Sequence, residues 1–350
     1  MNILPIDLIQ YYIFDKLDFV TQINFTQICK RLNRIHIHNL YYNINNKHKK
    51  ILSDKILFIY QKIKYLNAMN NKKITNINYM ANLQILNASE KCGIDDNGIK
   101  DLNLIGLNAS DNKKIKNINH MTNLQILDAS EKCGIDDNGI KDLNLIELDV
   151  QNNEKITNVN HMTNLKILEA SDECGIDDNG IKDLNLFELD ATNNPKITNV
   201  NHMTKLQILH INGNCGINDN GIKNLNLIEL NASWNPKIKI ENHMTNLQTL
   251  DASINCGIDD NSIKNLNLIK LNAHNNPKIT NINHMTNLQI LHASEGCGID
   301  DDGIKNINLI ELGASNNPKI TNINHMTNLQ MLHAYWYCGI DDNGIKNINL

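Results

Sequence analysis

In the segment Leu145-Ile146-Glu147-Leu148-Asp149-Val150-Gln151-Asn152-Asn153-Glu154-Lys155-Ile156, Leu145, Leu148 and Val150 are followed by Asn153 and then by Ile156. The Leu-x-Val alternation has the period of two that turns one face of a strand inward. The same spacing occurs 21 residues earlier as Leu124-x-x-Leu127-x-Ala129 and 20 residues later as Leu165-x-x-Leu168-x-Ala170. A strand that returns every 20 or 21 residues, too soon for an independent unit, describes a chain wound into coils. Each coil can bury its inner face only against the next.

The wider spacing shows that the coils come in pairs. Cys92, Cys133, Cys174, Cys215, Cys256, Cys297 and Cys338 stand 41 residues apart, and the same step relates His120, His161, His202, His243, His284 and His325, with Tyr79 in the first slot. Fourteen coils are expected, beginning at Ile63 and ending with the one that starts at Leu329, and Leu350 would open a fifteenth. Parallel strands stack about 4.8 Å apart, so the sheet should extend on the order of 60 Å. That is a surface for a macromolecule rather than a pocket for a metabolite.

The composition agrees with a repetitive aliphatic core. Among 350 residues, aromatics are 5%, Gly is 17 and Pro 5, which leaves little material for an aromatic-lined cofactor pocket, and no cofactor is expected. Lys and Arg number 33 against 38 Asp and Glu, a net charge of −5, which disfavours a nucleic-acid partner. The first residues lack a basic leader region, and no apolar run approaches the ~18 residues of a membrane span. The chain is therefore read as intracellular, in the cytoplasm or nucleus, without a membrane partner. The sequons at Asn24, Asn87, Asn108 and Asn231 then have no secretory route to glycosylation.

Each coil must turn inward after its strand, which would leave backbone groups unpaired in the interior. Asn71, Asn112, Asn153, Asn194, Asn235, Asn276 and Asn317 recur where a buried side-chain amide can satisfy them, and the Cys column alternates with them as small apolar residues. Equivalent cysteines lie two coils apart, about 10 Å, beyond disulfide reach. Cys and His are expected on opposite edges of the coil, so a metal site is not expected. In Asp136-Asp137-Asn138-Gly139 the glycine comes too early for a calcium loop and Ile140 is aliphatic. Asp136 is instead expected to cap a short helical turn whose Ile140 and Leu143 point inward. No nucleophile and base pair or phosphate loop interrupts the repeat, and no catalytic residue is expected.

Near-identical copies reveal which positions are free to vary. The residue between the inward aliphatics reads Asn67, Asn87, Asn108, Asp128, Asp149, Glu169, Asp190, His210, Asn231, Asp251, Asn272, His292, Gly313 and His333 along the coils. Asp128, Asp149, Glu169 and Asp190 should form an acidic strip about 15 Å long. Glu147, Glu188 and Glu229 alternate with Ile126, Ile167 and Ile208 beside it. Such a strip suits a basic or amphipathic protein, while a merely solvated face accounts for it equally. Trp234 and the triplet Tyr335, Trp336 and Tyr337 replace Ser, Asn, Glu, Lys or Gly of other coils. They are expected either as anchors for a partner or, for the triplet, as a cover for the last coil. Candidate partner-binding residues are therefore Asp128, Asp149, Glu169, Asp190, His210, Trp234, His292, His333 and Trp336.

The segment from Leu145 to Ile156 fits the leucine-rich-repeat pattern position for position. Cys133-Gly134-Ile135-Asp136-Asp137-Asn138-Gly139-Ile140-Lys141-Asp142-Leu143 is similar to the cysteine-containing form of that repeat, with a Cys–Ile gap one shorter and Asp for Thr. Residues 1–42 differ. Leu4-Pro5 with Leu8, Ile9, Tyr12 and Ile13, then Asp18 with Val20 and Ile23, then Phe25, Ile28, Cys29, Leu32 and Ile35 predict three short amphipathic helices. Leu4-Pro5-x-Asp7-Leu8-Ile9, Phe14-x-x-Leu17-Asp18-Phe19 and Cys29-Lys30-Arg31-Leu32 resemble an F-box, departing from it in Leu32 and in the polar Asn24 and Gln27.

Together the resemblances imply an α/β solenoid, a leucine-rich-repeat horseshoe with a parallel concave sheet over 63–350, preceded by a small helical F-box-like module at 1–42. Residues 43–62 would be a linker and N-terminal cap helix. The implied function is that of a substrate receptor in a Skp–cullin–F-box ubiquitin ligase, itself non-catalytic. Leu4, Pro5, Leu8, Ile9, Phe14 and Leu17 would dock the Skp-type adaptor, and the solenoid would select a protein substrate. The alternative is an interaction scaffold outside the ubiquitin pathway, its helical head capping the solenoid. The Asn, Ile and Lys bias resembles a very AT-rich genome, such as that of a giant amoebal virus or an amoeboid or apicomplexan eukaryote. In the viral case the adaptor and the cytoplasm would be the host's.

Overall fold

A computed structural model describes residues 52–58, 61, 63–240 and 244–348. The F-box-like residues, including Leu4, Pro5, Leu8, Ile9, Phe14 and Leu17, lie outside the described residues. The chain divides into two compact units, Met1–Leu165 and Lys166–Leu350.

Within the first unit the strands are β1 (Tyr65–Asn67), β2 (Ile85–Asn87), β3 (Gly106–Asn108), β4 (Ile126–Asp128) and β5 (Glu147–Asp149). They pair in parallel in chain order, with Leu66, Leu86, Leu107, Leu127 and Leu148 in register. The second unit contains β6 (Ile167–Glu169), β7 (Glu188–Asp190), β8 (Ile208–His210), β9 (Glu229–Asn231), β10 (Thr249–Asp251), β11 (Lys270–Asn272), β12 (Ile290–His292), β13 (Glu311–Gly313) and β14 (Met331–His333). These also pair in parallel in chain order and in register. Parallel strands joined one to the next every 20 or 21 residues make each unit a leucine-rich-repeat solenoid, as the spacing predicts.

The strands are three residues long because only the central Leu is driven inward, with one outward residue on either side. The chain then bends at the third residue, and where this is Asn or Asp its side chain accepts from the backbone N–H two residues on. Ser110 N–H donates to Asn108 Oδ1 at 3.1 Å and Ser130 N–H to Asp128 Oδ1 at 3.1 Å. Asn and Asp serve this Asx turn equally, since only a side-chain oxygen is needed. The buried Asn ladder follows. Asn153, almost fully buried, donates to Ala129 O at 2.7 Å and Ile135 O at 3.3 Å, while its Oδ1 accepts from Lys155 N–H at 3.0 Å.

Every second coil carries a four-residue helical turn: α2 (Asp96–Ile99), α3 (Asp137–Ile140), α4 (Asp178–Ile181), α5 (Asp219–Ile222), α6 (Asp260–Ile263), α7 (Asp301–Ile304) and α8 (Asp342–Ile345), numbered after α1 (Asp54–Leu57) ahead of the first strand. Asp136 caps α3 by accepting from Gly139 N–H at 3.1 Å, and Ile140 and Leu143 are buried, both as expected. The second Asp of the pair has a role that the sequence alone does not reveal. Asp137 reaches the following coil, accepting from Thr157 N–H at 2.7 Å and Thr157 Oγ1 at 2.6 Å. Before the first coil, α1 reproduces this arrangement: Asp54 accepts from Thr75 N–H at 2.7 Å, and Leu52 O accepts from Asn71 at 3.1 Å. Tyr79, in the slot of the histidines, donates to Asp54 O at 2.9 Å, and burial, then the nearby Asp54 charge, pushes its pKa to about 12.

His120, His161, His202, His284 and His325 stitch adjacent coils, as with His161 Nε2 at 3.2 Å from Ile140 O in the first unit and His202 Nε2 at 3.2 Å from Ile181 O in the second. Cys92, Cys133, Cys174, Cys215, Cys256 and Cys297 are buried. Burial, the largest influence, pushes the Cys133 and Cys215 thiols up to about 11, so they stay neutral at physiological pH and pack as apolar groups.

Candidate functional site

The outward strand positions form the candidate binding face of each unit. In the first unit Asp128 and Asp149 are register partners on β4 and β5, with Ile126 beside Glu147. In the second, Glu169 and Asp190 are partners on β6 and β7, and His210 follows on β8. The carboxylates have structural partners that lower their availability. Asp128 accepts from Ser130 N–H and Oγ and from Asn108 Nδ2. Asp149 accepts from Gln151 N–H at 2.9 Å, and Asp190 from Thr192 N–H at 2.8 Å. Because Asn makes the same turn at Asn108 and Asn231, the charge at Asp128, Asp149 and Asp190 is additional to the folding requirement.

Gly313 has no side chain to form that turn, and Glu169, His210, His292 and His333 carry longer side chains where other coils have Asn or Asp. His210 lies 3.8 Å from Asp190 and 3.7 Å from Glu229. The Asp190 carboxylate, working against partial burial and joined by Glu229 and Glu188, holds the His210 pKa above the ordinary 6.5. Burial alone would raise Asp190, but interactions with His210 and Thr192 outweigh it and lower its pKa. His292 is the opposite case, lowered mainly by burial. It flanks Gly313, whose other neighbour is His333. His333 pairs with Glu311 at 3.8 Å.

A proton titration by NMR should therefore give His210 a midpoint above that of His292, and Asp190→Asn should lower the His210 midpoint. Coincident midpoints would contradict this placement of charge. The stabilisation from His210 is full below the ordinary pKa and is lost as pH rises through its raised value.

Trp234 follows β9 and Trp336 follows β14; they are 62% and 84% exposed. Both adopt positive φ, 59° and 64°, at a bend that elsewhere takes Asn, Asp, Glu, Gly213 or Ile254. A Trp gains nothing from the core there and bears the steric cost of the left-handed region. Tyr335 and Tyr337 are likewise exposed, and the Tyr335 ring lies 6.1 Å from His333. The predicted residues thus fall, within the second unit, into separate groups: Glu169, Asp190 and His210 on β6 to β8, Trp234 just after β9, and His292, His333 and Trp336 around β12 to β14.

One component of the face escaped the sequence analysis. Ile105 and Ile146 in the first unit, and Phe187, Ile269 and Ile310 in the second, enter their strands with exposed side chains at the 41-residue step. In the second unit a depression of about 360 Å³ lies between Ile228 and Ile269, floored by Gln248 and Leu247. The recurrence of a large apolar residue, Ile146, Phe187 and Ile228, immediately before Glu147, Glu188 and Glu229 was the available signal. Among the described residues, no three His, Cys, Asp or Glu side chains gather as a metal site, and no helix is long and apolar enough to cross a membrane.

No family model and no curated protein matches the chain. Solved leucine-rich-repeat structures do. The functional domain of InlJ from Listeria monocytogenes, which includes a cysteine ladder, is similar with a TM-score of 0.38 and 17% identity, covering 79% of this chain and 64% of that one. Rad7 in its complex with Elc1 from yeast has a TM-score of 0.39 and 13% identity, with 81% and 78% covered. Mouse RP105, solved with MD-1, has a TM-score of 0.44 and 13% identity, with 86% and 65% covered. This chain therefore spans a little under two thirds of InlJ and RP105. The likeness is one of fold.

Proposed function

We propose that this chain is a non-catalytic substrate receptor of a Skp–cullin–F-box ubiquitin ligase, holding a basic or amphipathic protein on the outward strand positions of its solenoid. The observation that carries the binding half is the freedom of the face: its acidic and apolar side chains vary or recur with no demand from the coil, whose turns Asn alone satisfies. Glu147 in the first unit and Glu188 and Glu229 in the second stand next to exposed or half-buried Ile146, Phe187 and Ile228, a mixture suited to an amphipathic protein. The ubiquitin half rests on the resemblance of Leu4-Pro5-x-Asp7-Leu8-Ile9 and Phe14-x-x-Leu17 to an F-box.

Calorimetric titration of a Skp-family adaptor into the full chain tests the assignment. Binding at micromolar affinity or tighter is expected, with Leu8→Asp and Leu17→Asp each weakening it at least about tenfold, since a charge would be buried in an apolar contact. Absence of binding by the folded full chain would leave the scaffold reading, in which residues 1–42 cap the solenoid.

A further inference from the structure

The copies also differ along the loop that follows each strand, on a surface that the proposed function does not use. In the first unit, Lys72, Lys91, Lys113 and Lys114 line a concavity of about 450 Å³, together with Glu90 and Asp111. Lys132 continues the row on the next coil. The repeat supplies its own control. At the 41-residue step, Lys72 and Lys113 are succeeded by Glu154, Pro195, Pro236, Pro277 and Pro318, and Lys91 and Lys132 by Glu173, Asn214, Asn255, Gly296 and Tyr337. The same coil thus folds without these lysines, and their accumulation on neighbouring coils is not a requirement of the fold.

Their surroundings leave the ammonium groups available. Lys72, Lys91, Lys113 and Lys132 are exposed, and among the described residues no ion pair involves them. Lys114 occupies the position from which Lys155 donates to Cys133 O at 2.8 Å, but its own contact, to Gly93 O, is 3.5 Å. Its charge faces the concavity more freely than that of its later copy.

We propose that this lysine-lined concavity docks an acidic polypeptide segment, a stretch rich in Asp and Glu, from a partner protein. Four lysines against two carboxylates give the lining a positive balance inside a chain whose net charge is −5, so attraction must be local rather than global. Concavity and composition favour separate carboxylate side chains over a continuous phosphate backbone. Glu90 and Asp111 stand within the lining and would repel a phosphate backbone, which carries a charge on every unit, whereas an extended acidic segment can set uncharged residues opposite them. Arginine, which recognises phosphate with paired hydrogen bonds, is absent from the lining. This inference is independent of adaptor binding by residues 1–42.

The test uses the full chain and a fluorescein-labelled dodecapeptide of alternating Glu and Asp with Gly spacers, read by fluorescence anisotropy. Lys72→Glu, Lys91→Glu and Lys113→Glu combined should weaken binding at least about tenfold. Lys182→Glu, Lys223→Glu and Lys264→Glu combined change the net charge equally at exposed positions in the second unit, and should leave affinity within about twofold. Affinity of the unaltered chain should fall as salt is raised. Replacing the same three concavity lysines by Gln should also weaken binding, which keeps the test decisive should charge reversal disturb folding. No binding by the unaltered chain, or equal weakening by the two triple variants, would overturn the proposal. Tighter binding of a single-stranded oligonucleotide of equal charge, lost with the same lysines, would overturn it in favour of nucleic acid.

Discussion

Asn194→Ala is expected to destabilise the second unit by about 3–5 kcal/mol, as should alanine at its equally buried copies Asn235, Asn276 and Asn317. Asn194 is fully buried and donates to Ala170 O at 2.8 Å and Ile176 O at 3.2 Å, while its Oδ1 accepts from Lys196 N–H at 2.9 Å. Alanine removes all three interactions and leaves two carbonyls and one N–H in a coil interior that offers no replacement partner. Asn194→Asp should do no better, because a carboxylate cannot donate to two carbonyl oxygens and its charge would be buried. The exposed Lys182 of the same unit is the control. Chemical unfolding of the full chain, followed by hydrogen exchange at β7, should show early opening in Asn194→Ala and near-normal protection in Lys182→Ala. Equal protection in the two would remove the buried amide from its role as the structural post of the coil.

The second large effect is steric. A Cβ placed on Gly221 would lie 2.2 Å from the carbonyl oxygen of Thr198 in the preceding coil, so Gly221→Ala should cost about 3 kcal/mol by forcing two backbones apart. The repeat contains one exception at this position, Ser262. It follows the coil in which Lys239-Ile240-Glu241 replaces the usual Thr-Asn-Ile or Thr-Asn-Val, and there Ile240 is buried at φ 50°. The side chain of Ser262 is accommodated in α6 and completes a capping box with Asp259. Ser262→Gly should therefore cost only about 1 kcal/mol, the worth of that cap. Unfolding midpoints measured side by side would decide the matter. A Gly221→Ala variant as stable as the parent would mean that adjacent coils yield more easily than their hydrogen bonding suggests.

The contrast between Asp136 and Asp137 explains what was legible in the sequence. Capping by Asp136 is local, fixed by its distance to Gly139, and could be read from four consecutive residues. The partner of Asp137 is Thr157, 20 residues away, and only the stacking of coils brings them together. The same applies to Lys155, which donates to Cys133 O across 22 residues. Strand, turn and core positions were thus readable from periodicity, while contacts between coils were not. The candidate site was harder for another reason. At Asp128 and Asp149 one side chain meets a folding need, the turn, and also supplies a charge, and a sequence does not separate the two. Trp234 was visible as an odd residue, but its positive φ, the reason it is costly to keep, was not.

The alternation of Asn and Cys coils also sets a unit of genetic change. Asn153 and Lys155 satisfy carbonyls of the Cys-bearing coil before them, and Gly134 N–H in turn donates to Asn112 O of the Asn-bearing coil before it. Unequal recombination that adds or removes 41 residues restores every one of these interlocking contacts at the new junction. A gain or loss of a single coil sets like against like and leaves the amides without their carbonyls. Copy number in this gene can therefore drift only in even steps of coils, lengthening or shortening the protein without a folding penalty. Each duplicated pair arrives with its outward positions already free to diverge.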